Sequence, residues 1–292
     1  MDYVASGDLS LAVREYDVPG GRPGAPHVVL VHGFPDNQRM WEPVAERLRG
    51  AGMHVITYDV RGAGASDAPP DVSGYRTDRL VDDLVAVVDA TVPEGDPVHL
   101  VGHDWGSVQL WEAVLSAADD PRLRGRIASF VSASGPALDH MAYLARHTHG
   151  RRLRLLQQAG SSWYVYFFQL PFLPELVWRA AHRPIGALAA RMEPGLEHSH
   201  WGPEVARDAT NGVNLYRANI GRMRRPRERH TAVPVLVVAP RHDPYLRSVT
   251  VEDLDHLCSD VTVVRPDTGH WLPRSHPDLM ADLVREHVEA HR

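Results

Sequence analysis

Short runs dense in Val, Ile and Leu alternate along this chain with longer stretches whose apolar residues recur at three-four spacing. The runs are His27–Val31, His54–Tyr58, Val98–Val101, Ser129–Ala133, Val235–Ala239 and Val261–Val264. Strands covered on both faces read as continuous apolar runs, and the helices that cover them read at helical period. Met40–Leu48, Thr77–Asp89, Val108–Ala118 and Pro277–His291 carry the helical pattern, with Pro277 tolerated in a first turn. The alternation predicts an α/β fold: a mostly parallel sheet flanked by helices.

The alternation breaks between about Leu138 and Arg229, where the sequence is rich in Arg and aromatics and no strand pattern appears. A helical lid inserted into the sheet domain is expected, with a core of residues 1–137 and 230–292 and a lid of residues 138–229. With 292 residues, 43% hydrophobic and 23% charged, the chain has enough apolar side chain to fold as a soluble globular protein. The formal net charge of −6 argues against general nucleic-acid binding, which needs a basic footprint. There is one cysteine, Cys258, so no intrachain disulfide forms. No apolar run approaches the roughly 18 residues of a membrane span. The Met1-Asp2-Tyr3-Val4 start lacks the basic, then apolar, form of a signal peptide. A cytoplasmic protein is expected.

The chemistry-bearing residues fall just past predicted strand ends. Val98-His99-Leu100-Val101 runs into Gly102-His103-Asp104-Trp105-Gly106 and then a helix. Glycines around one polar residue permit a sharp strand-to-helix turn that lifts its side chain above the sheet edge. The α/β-hydrolase elbow has this form with serine at its centre. Here Asp104 stands there: a carboxylate, ionised near neutral pH, that can attack an electrophilic carbon and form an ester. Capping of the following helix is the competing role. His32-Gly33-Phe34-Pro35-Asp36 follows another strand. Its Phe34 N–H, with that of Trp105, is the expected oxyanion hole, while His32 is expected to orient the loop. Asp243, in Pro240-Arg241-His242-Asp243-Pro244, and His270, in Gly269-His270-Trp271, follow two late strands. The order nucleophile, acid, histidine makes His270 the general base on water and Asp243 its orienting partner.

With these motifs in hand, the chain resembles the α/β-hydrolase superfamily over nearly its whole length, and within it the epoxide hydrolases. It is also similar to the hydrolase half of fused epoxide hydrolase–reductase proteins, without a reductase region in this sequence. Asp59-Val60-Arg61-Gly62-Ala63-Gly64-Ala65-Ser66 looks like a structural loop of that family. The resemblance implies two lid tyrosines that bind the epoxide oxygen. The stretch Ser162-Trp163-Tyr164-Val165-Tyr166-Phe167-Phe168-Gln169 gives Tyr164, with Tyr166 as the fallback register, and Asn214-Leu215-Tyr216-Arg217 gives Tyr216. Phenols with an ordinary pKa near 10 stay protonated at neutral pH and can donate to an opening epoxide. Trp163, Tyr166, Phe168 and Trp271 are further candidates for lining the substrate site. No cofactor and no metal are implied; the partners are an epoxide and water, and the chain is expected as a monomer or homodimer.

Two other functions fit parts of the pattern. A haloalkane-type dehalogenase shares the Asp nucleophile and His base, but Phe34 stands where halide-binding Asn often follows His-Gly. A non-catalytic ligand-binding protein could retain the fold, although the full residue set argues for catalysis. The Arg-dense Gly221–Arg229 reads as a solvated end of the lid. His198 and His200 lack a metal-ligand pattern, Cys258 is a spectator, and Ser107 lies outside the elbow centre.

Overall fold

The computed structural model describes residues 1–21, 23–197, 199–221 and 227–292. Its sheet contains the strands β1 (Asp2–Ser6), β2 (Leu9–Tyr16), β3 (His27–Val31), β4 (His54–Tyr58), β5 (Val98–His103), β6 (Ile127–Ala133), β7 (Val235–Val238) and β8 (Val261–Val264), in the order β1-β2-β4-β3-β5-β6-β7-β8. From β4 to β8 neighbouring strands run parallel; β1 and β2 pair antiparallel with each other, and β2 pairs antiparallel with β4.

Strand alternation divides the core between two faces. Val29, Val31, Ile56, Tyr58, Leu100 and Phe130 pack on the side of α2 (Thr77–Thr91) and α3 (Trp105–Ser116). Val28, Leu30, Val55, Val101 and Val131 point the opposite way, onto α1 (Glu42–Gly50) and α10 (Pro277–Ala290). Because both faces are covered, the central strands carry apolar residues without polar alternation. β8 departs from that expectation: it is the sheet's edge, and its residues are half-buried or exposed.

The N-terminal hairpin is absent from the sequence reading. Asp2–Ser6 is mostly exposed, and its backbone pairing, rather than an apolar run, holds it in place. The predicted Met40–Leu48 helix is instead a 3₁₀ turn over Gln38–Trp41 followed by α1, which has Pro43 in its first turn. The predicted Val108–Ala118 helix begins earlier, at Trp105, and ends at Ser116. β5 runs on to His103, β6 begins at Ile127 and β7 stops at Val238.

Between β6 and β7 the described residues form α4 (Leu138–Arg146), α5 (Arg152–Ser161), α6 (Trp163–Phe167), α7 (Leu173–Met192) and α8 (Val205–Asn219). α9 (Leu272–Ser275) precedes α10. No described helix is long and apolar enough to cross a membrane. The Gly221–Arg229 expectation is corrected at its end. Arg229 is largely buried and bonds Glu112 at 3.0 Å and Asp139 at 2.6 Å, tying this segment to α3 and α4. Arg222, Arg224 and Arg225 lie outside the described residues.

The Asp59–Ser66 loop is held as a structural unit. Asp59 accepts from the N–H groups of Gln38 and Ala65, both at 2.8 Å. Arg61 forms a two-pronged bond to Asp83 at 2.6 Å on each arm and also donates to the carbonyls of Gly74 and Arg79. Asp83 is fully buried, so removing its cation leaves a charge without compensation. Arg61→Met is expected to destabilise the protein by about 3–5 kcal/mol. Pairing it with Asp83→Leu should recover much of the loss. Urea denaturation of the two variants checks this, and a loss below about 1 kcal/mol for the single change would contradict the assigned role.

Candidate active site

The site lies where the sheet topology reverses. β3 is followed in the chain by β4 on one side, and β5 pairs on its other side. Loops leaving the carboxyl ends of β3 and β5 therefore diverge and open a crevice, the usual ligand position in an open α/β sheet. The loops after β7 and β8 reach the same end.

Asp104 occupies the turn from β5 into α3 with φ 52° and ψ −122°. A non-glycine residue at such angles costs about 1–3 kcal/mol and persists only where its surroundings fix it. Here the surroundings are glycines. A Cβ on Gly106 would strike the carbonyls of Val31 and His32, and one on Gly102 would meet the Ser107 backbone at 2.6 Å. The close approach of β3, β5 and α3 requires both. Asp104 forms no side-chain capping bond. Its Oδ1 instead accepts the Phe34 N–H at 2.7 Å, and its carboxyl is also bonded by the Trp105 N–H. Oδ2 lies 3.9 Å from His270 Nε2. His32 fixes the Phe34 loop: its Nδ1 bonds the Gly33 carbonyl at 3.0 Å, and its Nε2 accepts the Val60 N–H at 2.9 Å.

His270 follows β8 and is buried. Its Nδ1 meets Asp243 Oδ2 at 2.8 Å, which leaves Nε2 facing Asp104. Asp243 Oδ1 accepts the N–H groups of Tyr245 and Leu246 at 2.8 and 3.0 Å. Burial raises the Asp104 pKa to about 6, against the opposing pull of His270 and the two N–H donors. Burial alone would lower that of His270, but the carboxylates of Asp243 and Asp104 outweigh it and raise the imidazole to about 9. Burial opposes ionisation of Asp243 as well; His270 and the N–H bonds prevail and hold its pKa below the usual carboxylate value.

Above Asp104 the inserted helices bring Tyr164 and Tyr216 together, with ring centres 5.8 Å apart. Burial first, then the Asp104 charge, pushes both phenols well above their ordinary pKa, so both stay protonated donors. Tyr166, the fallback position, is 65% exposed. Asp104, Tyr164, Tyr216 and Tyr245 line both of two adjoining apolar cavities of about 660 and 280 Å³. Trp163, 65% exposed, sits at the rim of the larger cavity, where Phe168 and Trp271 are buried lining; Tyr166 borders the smaller.

Of the remaining candidates, Cys258 is buried and its thiol is pushed up to about 12 by burial. His200 bonds Asp36 at 2.7 Å, and His198 lies outside the described residues. Ser107 hydroxyl donates to the Gly135 carbonyl within α3 packing. Two residues at the site escape sequence reasoning. Tyr245 stands two positions after Asp243, a spacing that could have drawn attention to it. Glu193, buried at the end of α7, has no local signal.

A family model described as the alpha/beta hydrolase fold matches residues 26–277. A probable oxidoreductase, EphD, of Mycobacterium tuberculosis is 33% identical over 92% of this chain and 46% of its own length. The chain thus spans about half the length of that relative. Epoxide hydrolase A of the same species is 31% identical over 94% of both chains. A solved Bacillus megaterium epoxide hydrolase superposes with a TM-score of 0.78, at 16% identity, over 99% of this chain and 100% of that one.

The steric role of Gly106 is open to test. Gly106→Ala is expected to cost about 1–3 kcal/mol, the usual range for overpacking a closed contact. Gly50→Ala, whose Cβ would meet nothing within 4 Å, serves as the neutral control. Thermal melts of the two variants that coincide with the parent would contradict the packing described.

Proposed function

Because this chain belongs to the α/β-hydrolase family, we propose that its Asp104–His270–Asp243 arrangement hydrolyses an apolar epoxide to a vicinal diol through an ester on Asp104. The observation that carries this reading is the surroundings of one carboxylate. Asp104 has one oxygen held by a backbone N–H and the other turned toward a histidine, beneath two protonated phenols at an apolar junction. Residues 138–229 act as the cap. The two cavities suit an apolar substituent on each side of the ring.

In the first half-reaction Asp104 Oδ2 bonds to one ring carbon as that carbon's bond to the ring oxygen breaks. Tyr164 or Tyr216 gives its proton to the departing alkoxide. Low dielectric strengthens these bonds. Esterification removes the Asp104 charge that helps to keep His270 protonated. The imidazolium then releases its proton to restore the tyrosine, and His270 becomes a base only once the ester exists. In the second half-reaction neutral His270 takes a proton from water, and the hydroxide adds to the carbonyl carbon of Asp104. The N–H groups of Phe34 and Trp105 face the oxyanion, where one missing donor typically costs about 10²–10³ in rate. Collapse breaks the acyl–oxygen bond. The departing alkoxide takes the proton of the added hydroxyl, which regenerates the Asp104 carboxylate and imidazolium.

The dehalogenase alternative is less well supported. The Trp105 side chain bonds the Tyr216 hydroxyl and so is engaged with a phenol rather than presented to a halide.

Two experiments test the reading. Asp104→Ala should abolish diol formation from a simple aryl epoxide, and His270→Gln should accumulate the epoxide's added mass on intact protein. Undiminished diol from either variant would contradict it. Separately, ester formation requires ionised Asp104. Its single-turnover rate should therefore fall about tenfold per pH unit below about 6 and level off above 7. A rate independent of pH from 4 to 7 would refute the assigned nucleophile.

A further inference from the structure

Glu193 is the residue that follows α7, and it is 3% exposed. Its Oε2 accepts the backbone N–H of His270 at 2.9 Å and its Oε1 that of Trp271 at 3.1 Å. The carboxyl packs against Gly269, where any Cβ would collide with it. The His270 carbonyl accepts from His103 Nε2 at 2.9 Å. His103 is kept neutral by burial and by the neighbouring His270. The peptide on either side of His270 is thus held by two different groups, while Asp243 holds the ring. An amide could not replace Glu193, because one of its two heads would set an N–H against a backbone N–H. α7 also supplies Ile185, Leu188, Ala189 and Met192 to the wall of the larger cavity. One helix therefore lines that cavity and ends on the backbone of the histidine.

We propose that Glu193 is a positioning residue for the second half-reaction: a carboxylate from the inserted helices that grips the His270 backbone and fixes where Nε2 points. This rests on the ester reading above. Attack by Asp104 draws only on the charge of His270, whereas delivery of hydroxide needs Nε2 aimed at the water. The effect is therefore selective for ester breakdown. The charge of Glu193 also acts on the ring, in company with Asp243 and Asp104 as the other facing carboxylates and His103 as the facing ring.

The test measures the two half-reactions separately in Glu193→Gln, by single-turnover quench with an aryl epoxide and intact mass. It also follows the His270 ring titration by NMR and the thermal melt. Ester formation should remain within about threefold of the parent, ester breakdown should slow by about 10–100-fold, the range seen when an orienting partner is lost, and the His270 midpoint should move down. Glu193→Asp, which keeps the charge, should restore the midpoint more fully than the rate. Equal slowing of both half-reactions, or no slowing of either, overturns the proposal. If no protein species ever gains the epoxide's mass, the ester reading fails. The NMR midpoint then reports on Glu193 separately: a downward shift keeps its charge as a partner of the His270 ring, and an unchanged midpoint removes it.

Discussion

The hydrogen bond from the Phe34 N–H to Asp104 joins the ends of two strands across the point where the sheet reverses. It can form only because Asp104 sits at a positive φ and because glycines let β3, β5 and α3 approach within contact. Strain, packing and chemistry coincide there. The same geometry that denies Asp104 a capping role turns its second oxygen toward His270. A serine in this place would need a base to be activated; a carboxylate needs only to be ionised, and the site keeps it so despite burial by supplying two N–H donors and an imidazolium.

The electrostatics follow from burial. Removing water from Asp104, His270 and Asp243 makes each charge costly alone and mutually dependent. The triad holds one positive and two negative groups, and esterification would convert it into one of each. That change in charge is what alters the proton affinity of His270 between the two halves of the proposed reaction. The phenols above experience the opposite pressure: burial and the Asp104 charge both favour their protonated form, so they can donate but not compete as anions.

Much of this was legible in the chain. His27–Val31 and His54–Tyr58 fall where their apolar runs place them, because buried parallel strands carry their signal in every residue; Val261–Val264 keeps its predicted bounds although it is the sheet's edge. Gly102-His103-Asp104-Trp105-Gly106 marks its own turn, since few residues besides glycine tolerate such close approach. What escaped notice depends on distance. The β1–β2 hairpin is exposed and held by backbone pairing, which leaves little pattern. α1 starts later than its periodicity implies because Pro43 fixes its first turn. Arg229 reads as a solvated charge until Glu112 and Asp139 are folded against it. Glu193 is an ordinary helix-end carboxylate in sequence; only the fold brings it to a backbone 77 residues away. Tyr164 and Tyr166 are indistinguishable by composition, and the turn of α6 alone separates the ring that lines both cavities from the largely exposed one at the border of the smaller.

In the proposed reaction the carboxylate, not water, makes the first bond to carbon. One turnover in heavy-oxygen water, with enzyme in excess over an aryl epoxide, reads this directly. If Asp104 is the nucleophile, the diol from that turnover carries ordinary oxygen drawn from the side chain, and the heavy isotope appears in the peptide containing Asp104. Heavy oxygen in the diol, with that peptide unlabelled, would mean that water attacks the epoxide itself and would rule out an ester on Asp104.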